Sequence, residues 1–175
     1  MTPPTTLSLS RCKAGADMSQ FSDADRFPDR KSPRLKHFDY STQDYYFVTI
    51  CTGHKNCIFG RPDALSAAGI AAKECLLDIE AHFSTVKLDK YVVMPNHIHA
   101  IFDMRNDNQN LAVAIGQYKI SVTKKIRERK PNFPVWQRSF HDHVIRNQSG
   151  YEKIWMYIEN NPLKWEEDCF YVSDQ

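Results

Sequence analysis

The chain reads as an α+β domain: an antiparallel sheet with two helices on one face, plus a further helix at the end. Three observations lead there. Four stretches are rich in β-branched and aromatic residues or alternate apolar and polar positions, the mark of strands. Two stretches repeat apolar residues at helical spacing, one after the first strand and one after the third. Their order is strand, helix, strand, strand, helix, strand, which matches the split βαβ, ferredoxin-like plan.

Residues 1–30 carry scattered Ser, Thr, Pro and Asp without apolar period and read as a flexible extension. Residues 31–168 would form the domain and residues 169–175 an acidic tail. The first strand is Asp44 to Thr52, DYYFVTICT. A loop through Gly53, His54, Gly60 and Pro62 leads to a helix over Asp63 to Phe83. Its stripe is Leu65, Gly69, Ala72, Leu76, Ile79 and Phe83, spaced four and three residues apart. Val86 to Met94 and His97 to Phe102 form a hairpin around Pro95 and Asn96. Beyond a polar turn at Asp107 to Gln109, Leu111 to Arg129 is the second helix, with Leu111, Ile115, Tyr118, Val122 and Ile126 inside. Two prolines between Lys130 and Pro134 end it. Val135 to Arg146 reads as the fourth strand. Ser149 is placed to cap a last helix from about Gly150 to Asn161, closed by Pro162.

Bulk properties set limits. With 175 residues the chain can bury one real core, and 42% hydrophobic with 25% charged residues is an ordinary globular balance. No apolar run reaches membrane-spanning length and the start lacks a signal-like apolar segment, so a cytoplasmic protein is expected. The five cysteines are odd in number and none are spaced CxxC, which argues against a disulfide framework and a zinc knuckle. Net charge is only +2, but from Arg105 to Lys164 eleven Lys or Arg face five Asp or Glu. That local surplus hints at a polyanionic partner.

Chemistry concentrates in two places. His97 and His99 are one pleat apart on a strand, so both rings point the same way and can ligate one divalent cation. On the last helix Tyr157 and Asn161 lie one turn apart, at the shoulder of the buried arc of Tyr151, Ile154, Trp155 and Ile158. Tyr118 and Tyr151 face the core, and neither has a carboxamide one turn on. His141 and His143 form a second pair with strand spacing, which leaves open a four-histidine hydrolase site or two surface histidines.

These motifs together resemble the REP-associated tyrosine transposases, relatives of the single-tyrosine insertion-sequence transposases in the HUH nuclease superfamily. The resemblance rests on HIH after a Met-Pro-Asn turn, VWQRSFHDHVIRN, YIENNPLKW, FVTICT and IGQYKISVTKKI, in that family's arrangement from about Arg34 to Trp165. It implies a metal-dependent single-stranded DNA endonuclease and strand transferase acting on hairpin-forming repeats. Tyr157 would be the nucleophile, forming a 5′-phosphotyrosine. His97, His99 and Asn161 would hold Mg²⁺ or Mn²⁺; insertion-sequence relatives usually carry Gln at the last position. Lys119, Lys124, Lys125, Arg138, Arg146 and His143 would then serve DNA binding. A monomer and a homodimer both remain open. The rivals are a DNA-binding relative without activity and a metal hydrolase without a covalent step.

Overall fold

A computed structural model describes residues 45–104 and 111–172. The expected extension over residues 1–30 and the polar turn at Asp107 to Gln109 lie outside them, as does the end of the acidic tail, residues 173–175.

Strand β1 (Tyr45–Cys51) is followed by a small hairpin of β2 (Gly60–Arg61) and β3 (Ala64–Leu65). Helices α1 (Ala67–Leu77) and α2 (Ile79–His82) come next, then β4 (Lys87–Val93) and β5 (His97–Asp103). Helix α3 (Leu111–Arg127), β6 (His141–Ile145), α4 (Gln148–Asn160) and a 3₁₀ segment (Asn161–Glu167) complete the order. The main sheet has the order β4-β5-β1-β6 and every pairing is antiparallel. The expected α+β class and element order are therefore present, with β5 inserted between β1 and β4.

Three local expectations need correction. The first helix starts at Ala67, not Asp63, because residues 60–65 are spent on the β2–β3 hairpin and Ser66 Oγ caps the helix through Gly69 N at 3.1 Å. It also breaks at Asp78, although Leu76 and Ile79 stay buried on either side. Gly69 in its stripe marks a close approach: a Cβ there would meet Phe59 O at 2.1 Å. The fourth strand is shorter than Val135 to Arg146. Trp136 makes a bridge to Thr52, Gln137 N donates to Cys51 O at 3.0 Å, the chain then leaves the ladder, and β6 begins at His141. The amine of Lys119 takes the carbonyls of Gln137 and Ser139 at 2.6 and 3.3 Å, which satisfies backbone that has no strand partner there. The last helix begins at Gln148 rather than Gly150. Its cap is Asn147, whose side chain accepts from Gly150 N at 2.7 Å, not Ser149.

The pleat divides β1 between two cores. Tyr46, Val48 and Ile50 pack with Ile98, Ala100, Phe102 and the α1 and α3 residues Ala72, Leu76, Ile115, Tyr118 and Val122. The alternate residue Phe47 packs with Ile101, Ile145 and the α4 residues Ile154 and Ile158 on the opposite face. All five expected inner residues of α3 are buried. Burying such side chains is worth about 1.5–3 kcal/mol each, so both faces of β1 and β5 are held firmly. The site sits on the α4 face of this doubly covered strand pair.

Candidate functional site

β5 is an interior strand, bonded to β4 on one side and β1 on the other. His97 lies opposite Cys51 and His99 opposite Thr49, so both rings share a face with Phe47. The rings are 4.5 Å apart between centroids and both residues are 0% exposed. Each Nδ1 has a polar partner in the fold. His97 Nδ1 is 2.9 Å from Asn96 Oδ1, and His99 Nδ1 is 2.8 Å from Thr49 Oγ1.

Helix α4 lies over this face and brings Tyr157 to it. The phenol oxygen is 3.3 Å from His99 Nε2 and 3.5 Å from Asp168 Oδ2. Phe47 holds the pair in place, stacked on His99 at 5.2 Å and edge-on to Tyr157 at 6.1 Å. The other two tyrosines weighed as nucleophiles are engaged elsewhere. Tyr118 Oη donates to Ala72 O at 3.1 Å within the core, and Tyr151 Oη donates to Asp89 Oδ2 at 2.7 Å.

The 3₁₀ segment after α4 turns the chain back over the histidines and delivers Asp168. One ligand atom each from His97, His99 and Asp168 lies within 4.8 Å of the others. Asp168 Oδ2 is 3.9 Å from His97 Nε2 and accepts from Asn161 Nδ2 at 2.9 Å, while Asp168 Oδ1 accepts from Phe170 N at 2.7 Å. Asn161, expected as a ligand, is 4% exposed and stands beside Asp168. Its Oδ1 and His97 Nε2 are buried without a hydrogen-bond partner. Two buried acceptors lacking a donor, next to a carboxylate, fit a bound cation, which would satisfy all three.

Burial sets the protonation. It pushes His97 down to about 3, with Lys55 adding to the fall. His99 is lowered well below its ordinary value by burial and by His97, against the pull of Asp168. Both rings are thus neutral near pH 7, the form that ligates metals. Burial, and then Asp168, raise the Tyr157 phenol, so it is not ionised by its own surroundings.

The remaining expected residues fall in several places. Lys119, Lys124 and Lys125 are on α3, whose buried side packs against the other face of the sheet. Lys119 is tied to backbone carbonyls and Lys125 to Glu74 at 3.1 Å. Arg138 and Arg146 are exposed on either side of β6. His143 is half-buried and lies opposite Phe47, on the site's face of the sheet; His141 lies opposite Thr49. β1 separates both from β5, and neither belongs to the ligand cluster found among the described residues. Sequence reading missed Asp168, Thr49, Asn96 and Lys55. Lys55 reaches the site from the turn after β1, with Nζ 3.5 Å from Cys169 O and 5.5 Å from the Phe170 ring. Phe170 in turn packs on His97 at 4.6 Å. Asn96 alone had a visible signal, its place between Pro95 and His97; Asp168 had none beyond lying in an acidic stretch.

The family model described as "Transposase IS200 like" matches residues 40–161. An uncharacterized protein of Haemophilus influenzae is 33% identical over 169 residues, covering 82% of this chain and 94% of that one. A second protein of the same organism, provisionally named a REP-associated tyrosine transposase, is 27% identical over 92 residues, or 47% of this chain and 51% of that one. Among solved structures, a REP-associated tyrosine transposase bound to a REP hairpin superposes with a TM-score of 0.56 at 18% identity, over 75% of this chain and 73% of that one. That likeness establishes a shared fold. Among the described residues no helix is long and apolar enough to cross a membrane.

Proposed function

The chain belongs to the IS200-like transposase family, and on that premise we propose that it is a metal-dependent endonuclease and strand transferase for single-stranded, hairpin-forming DNA, with Tyr157 as nucleophile. The observation that carries this reading is the position of the Tyr157 phenol, 3.3 Å from His99 and 3.5 Å from Asp168, at the edge of the one cluster of ligand atoms found among the described residues. A nucleophile beside a cation site is what phosphodiester cleavage needs.

His97 and His99 offer nitrogen and Asp168 a carboxylate oxygen; Asn161 Oδ1, lacking a partner, supplies a further oxygen. This mixed set suits Mn²⁺ better than Mg²⁺, which favours all-oxygen surroundings. When bound, the ion polarises the scissile phosphate and lowers the cost of added negative charge. The Tyr157 oxygen attacks phosphorus, the bond to the 3′ oxygen breaks, and a 5′-phosphotyrosine remains beside a free 3′-hydroxyl. Burial holds the phenol proton until attack, and that proton ends on the departing 3′ oxygen, while Asp168 Oδ2, turned toward the histidines, is kept for the ion. Because the covalent step keeps the bond energy, a second 3′-hydroxyl can reverse it on another strand. Lys55, whose charge acts on His97, is suited to a phosphate of the bound strand, and Arg138, Arg146 and His143 to contacts farther along β6. The hairpin bound by the structural neighbour supports a hairpin as substrate, and DNA as partner fits a cytoplasmic location.

The test is a covalent-adduct assay. Labelled single-stranded hairpin oligonucleotides from repeats beside the gene are incubated with the protein and Mn²⁺ or EDTA, then run on a denaturing gel beside Tyr157→Phe. A slow-migrating labelled species that needs both metal and Tyr157 is expected. Cleavage that survives Tyr157→Phe would replace this reading with a hydrolase. Binding without cleavage across such hairpins would replace it with a repeat-binding protein.

A further inference from the structure

Asn96 is the residue just before β5 and is 1% exposed. Its side chain touches three separate segments. Nδ2 donates to Phe170 O at 2.7 Å and to Lys55 O at 3.2 Å, and Oδ1 lies 2.9 Å from His97 Nδ1. Carbonyl oxygens only accept, so the two on one side fix which end of the amide is nitrogen. The other end is an oxygen, also an acceptor only. His97 Nδ1 must therefore carry the ring proton, and Nε2 is left with its lone pair.

That is the reverse of the tautomer a free imidazole side chain favours in water. It is also the form needed here, since His97 Nε2 points at the ligand cluster and has no other partner. His99 has no such selection. Its Nδ1 meets the Thr49 hydroxyl at 2.8 Å and its Nε2 meets the Tyr157 hydroxyl at 3.3 Å, and a hydroxyl can donate or accept.

We propose that Asn96 is a positioning residue: its amide oxygen holds His97 as the Nδ1–H tautomer, so that Nε2 is presented to a divalent cation without a prior proton shift. The metal half of this rests on the proposed function. The tautomer half does not. Outer partners of ligating histidines act this way in general, orienting the ring and fixing its tautomer.

The experiment has two readouts. Long-range proton–nitrogen correlation spectra of isotope-labelled, metal-free protein near neutral pH report each histidine's tautomer, with His97→Gln for assignment. His97 is expected as Nδ1–H; a protonated Nε2 would overturn the proposal. Mn²⁺ affinity, followed by calorimetry, separates the roles of the amide. Asn96→Ala removes the acceptor and should weaken binding by roughly 10–100-fold, with His97 becoming a mixture of tautomers. Asn96→Asp keeps an oxygen for Nδ1–H while losing both donors, and should hold Mn²⁺ within a few-fold of the parent. Equal weakening in the two variants would mean that Asn96 only anchors Lys55 and Phe170, and would sink the idea. If Asn96→Ala does not fold, the spectrum of the parent protein still decides. A parent that shows Nδ1–H but binds no Mn²⁺ supports the tautomer assignment and overturns the metal reading instead.

Discussion

Asp168→Asn is the substitution that asks most of the site. The change keeps the side chain's shape and an oxygen for Phe170 N, but removes the sole carboxylate of the cluster among the described residues. Outer partners of metal ligands cost roughly 10–100-fold in affinity when lost, and a direct ligand should cost at least that. At a Mn²⁺ concentration of 100 times the parent's dissociation constant, binding stabilises the parent by about 2.7 kcal/mol. The same concentration gives a variant weakened 100-fold only about 0.4 kcal/mol, and one weakened tenfold about 1.4. For a domain of this size each kcal/mol moves the melting temperature by about 2–4 °C. Mn²⁺ should therefore raise the parent's midpoint by roughly 5–11 °C, and that of Asp168→Asn by no more than about half as much. Differential scanning fluorimetry with Mn²⁺ titrated against EDTA reads this directly, and the metal-free midpoints report any structural cost separately. An equal Mn²⁺ shift in both proteins would show that Asp168 is no ligand and that the reasoning from the 4.8 Å cluster is wrong.

The buried histidines predict a pH dependence of metal-free stability. His97 is held near 3 in the fold against an ordinary 6.5, so above pH 6.5 both states are neutral and this contribution is flat. Below it the unfolded chain takes a proton that the fold refuses, and stability falls by about 1.4 kcal/mol per pH unit from this residue, with His99 adding to the loss. Urea melts in EDTA at pH 7.5 and 5.5 check the sign; constant stability across that range would contradict the buried, neutral pair. Lys119 and Arg146 should behave oppositely. Lys119→Ala should cost about 1–2 kcal/mol of stability by freeing the Gln137 and Ser139 carbonyls, with little effect on DNA affinity. Arg146→Ala should leave stability within about 0.5 kcal/mol and shallow the salt dependence of hairpin binding by about one phosphate contact, measured by fluorescence anisotropy.

The sequence by itself determined the layout and half of the site. Local chemistry carries that information. Runs rich in β-branched and aromatic residues placed β1, β4 and β5, and the spacing of Leu111, Ile115, Tyr118, Val122 and Ile126 placed the inner side of α3. The one-pleat spacing put His97 and His99 on a common face, and the α-helical turn put Tyr157 and Asn161 on one side of α4. Element ends were less legible where tertiary contacts override propensity. Ser66 and Asn147 took the caps, and beyond Gln137 the strand lapses until His141, with the Gln137 and Ser139 carbonyls accepting from Lys119 instead.

Only the tertiary structure decided which side chains meet. Asp168 lies 69 residues from His99 along the chain, and no periodicity links them. It reaches the histidines because the 3₁₀ segment folds back over the face that α4 covers. Asn96 sits beside His97 in sequence, yet its role depends on the carbonyls of Lys55 and Phe170, which arrive from two other segments. The basic residues show the converse: Lys119, Lys124 and Lys125 look like neighbours of the chemistry when charge is counted along the chain, but α3 packs against the opposite face of the sheet. A strand or a helix is specified by neighbours a few residues apart. A site assembled from four segments is specified by packing, which burial of both faces of β1 and β5 settles for the whole domain at once.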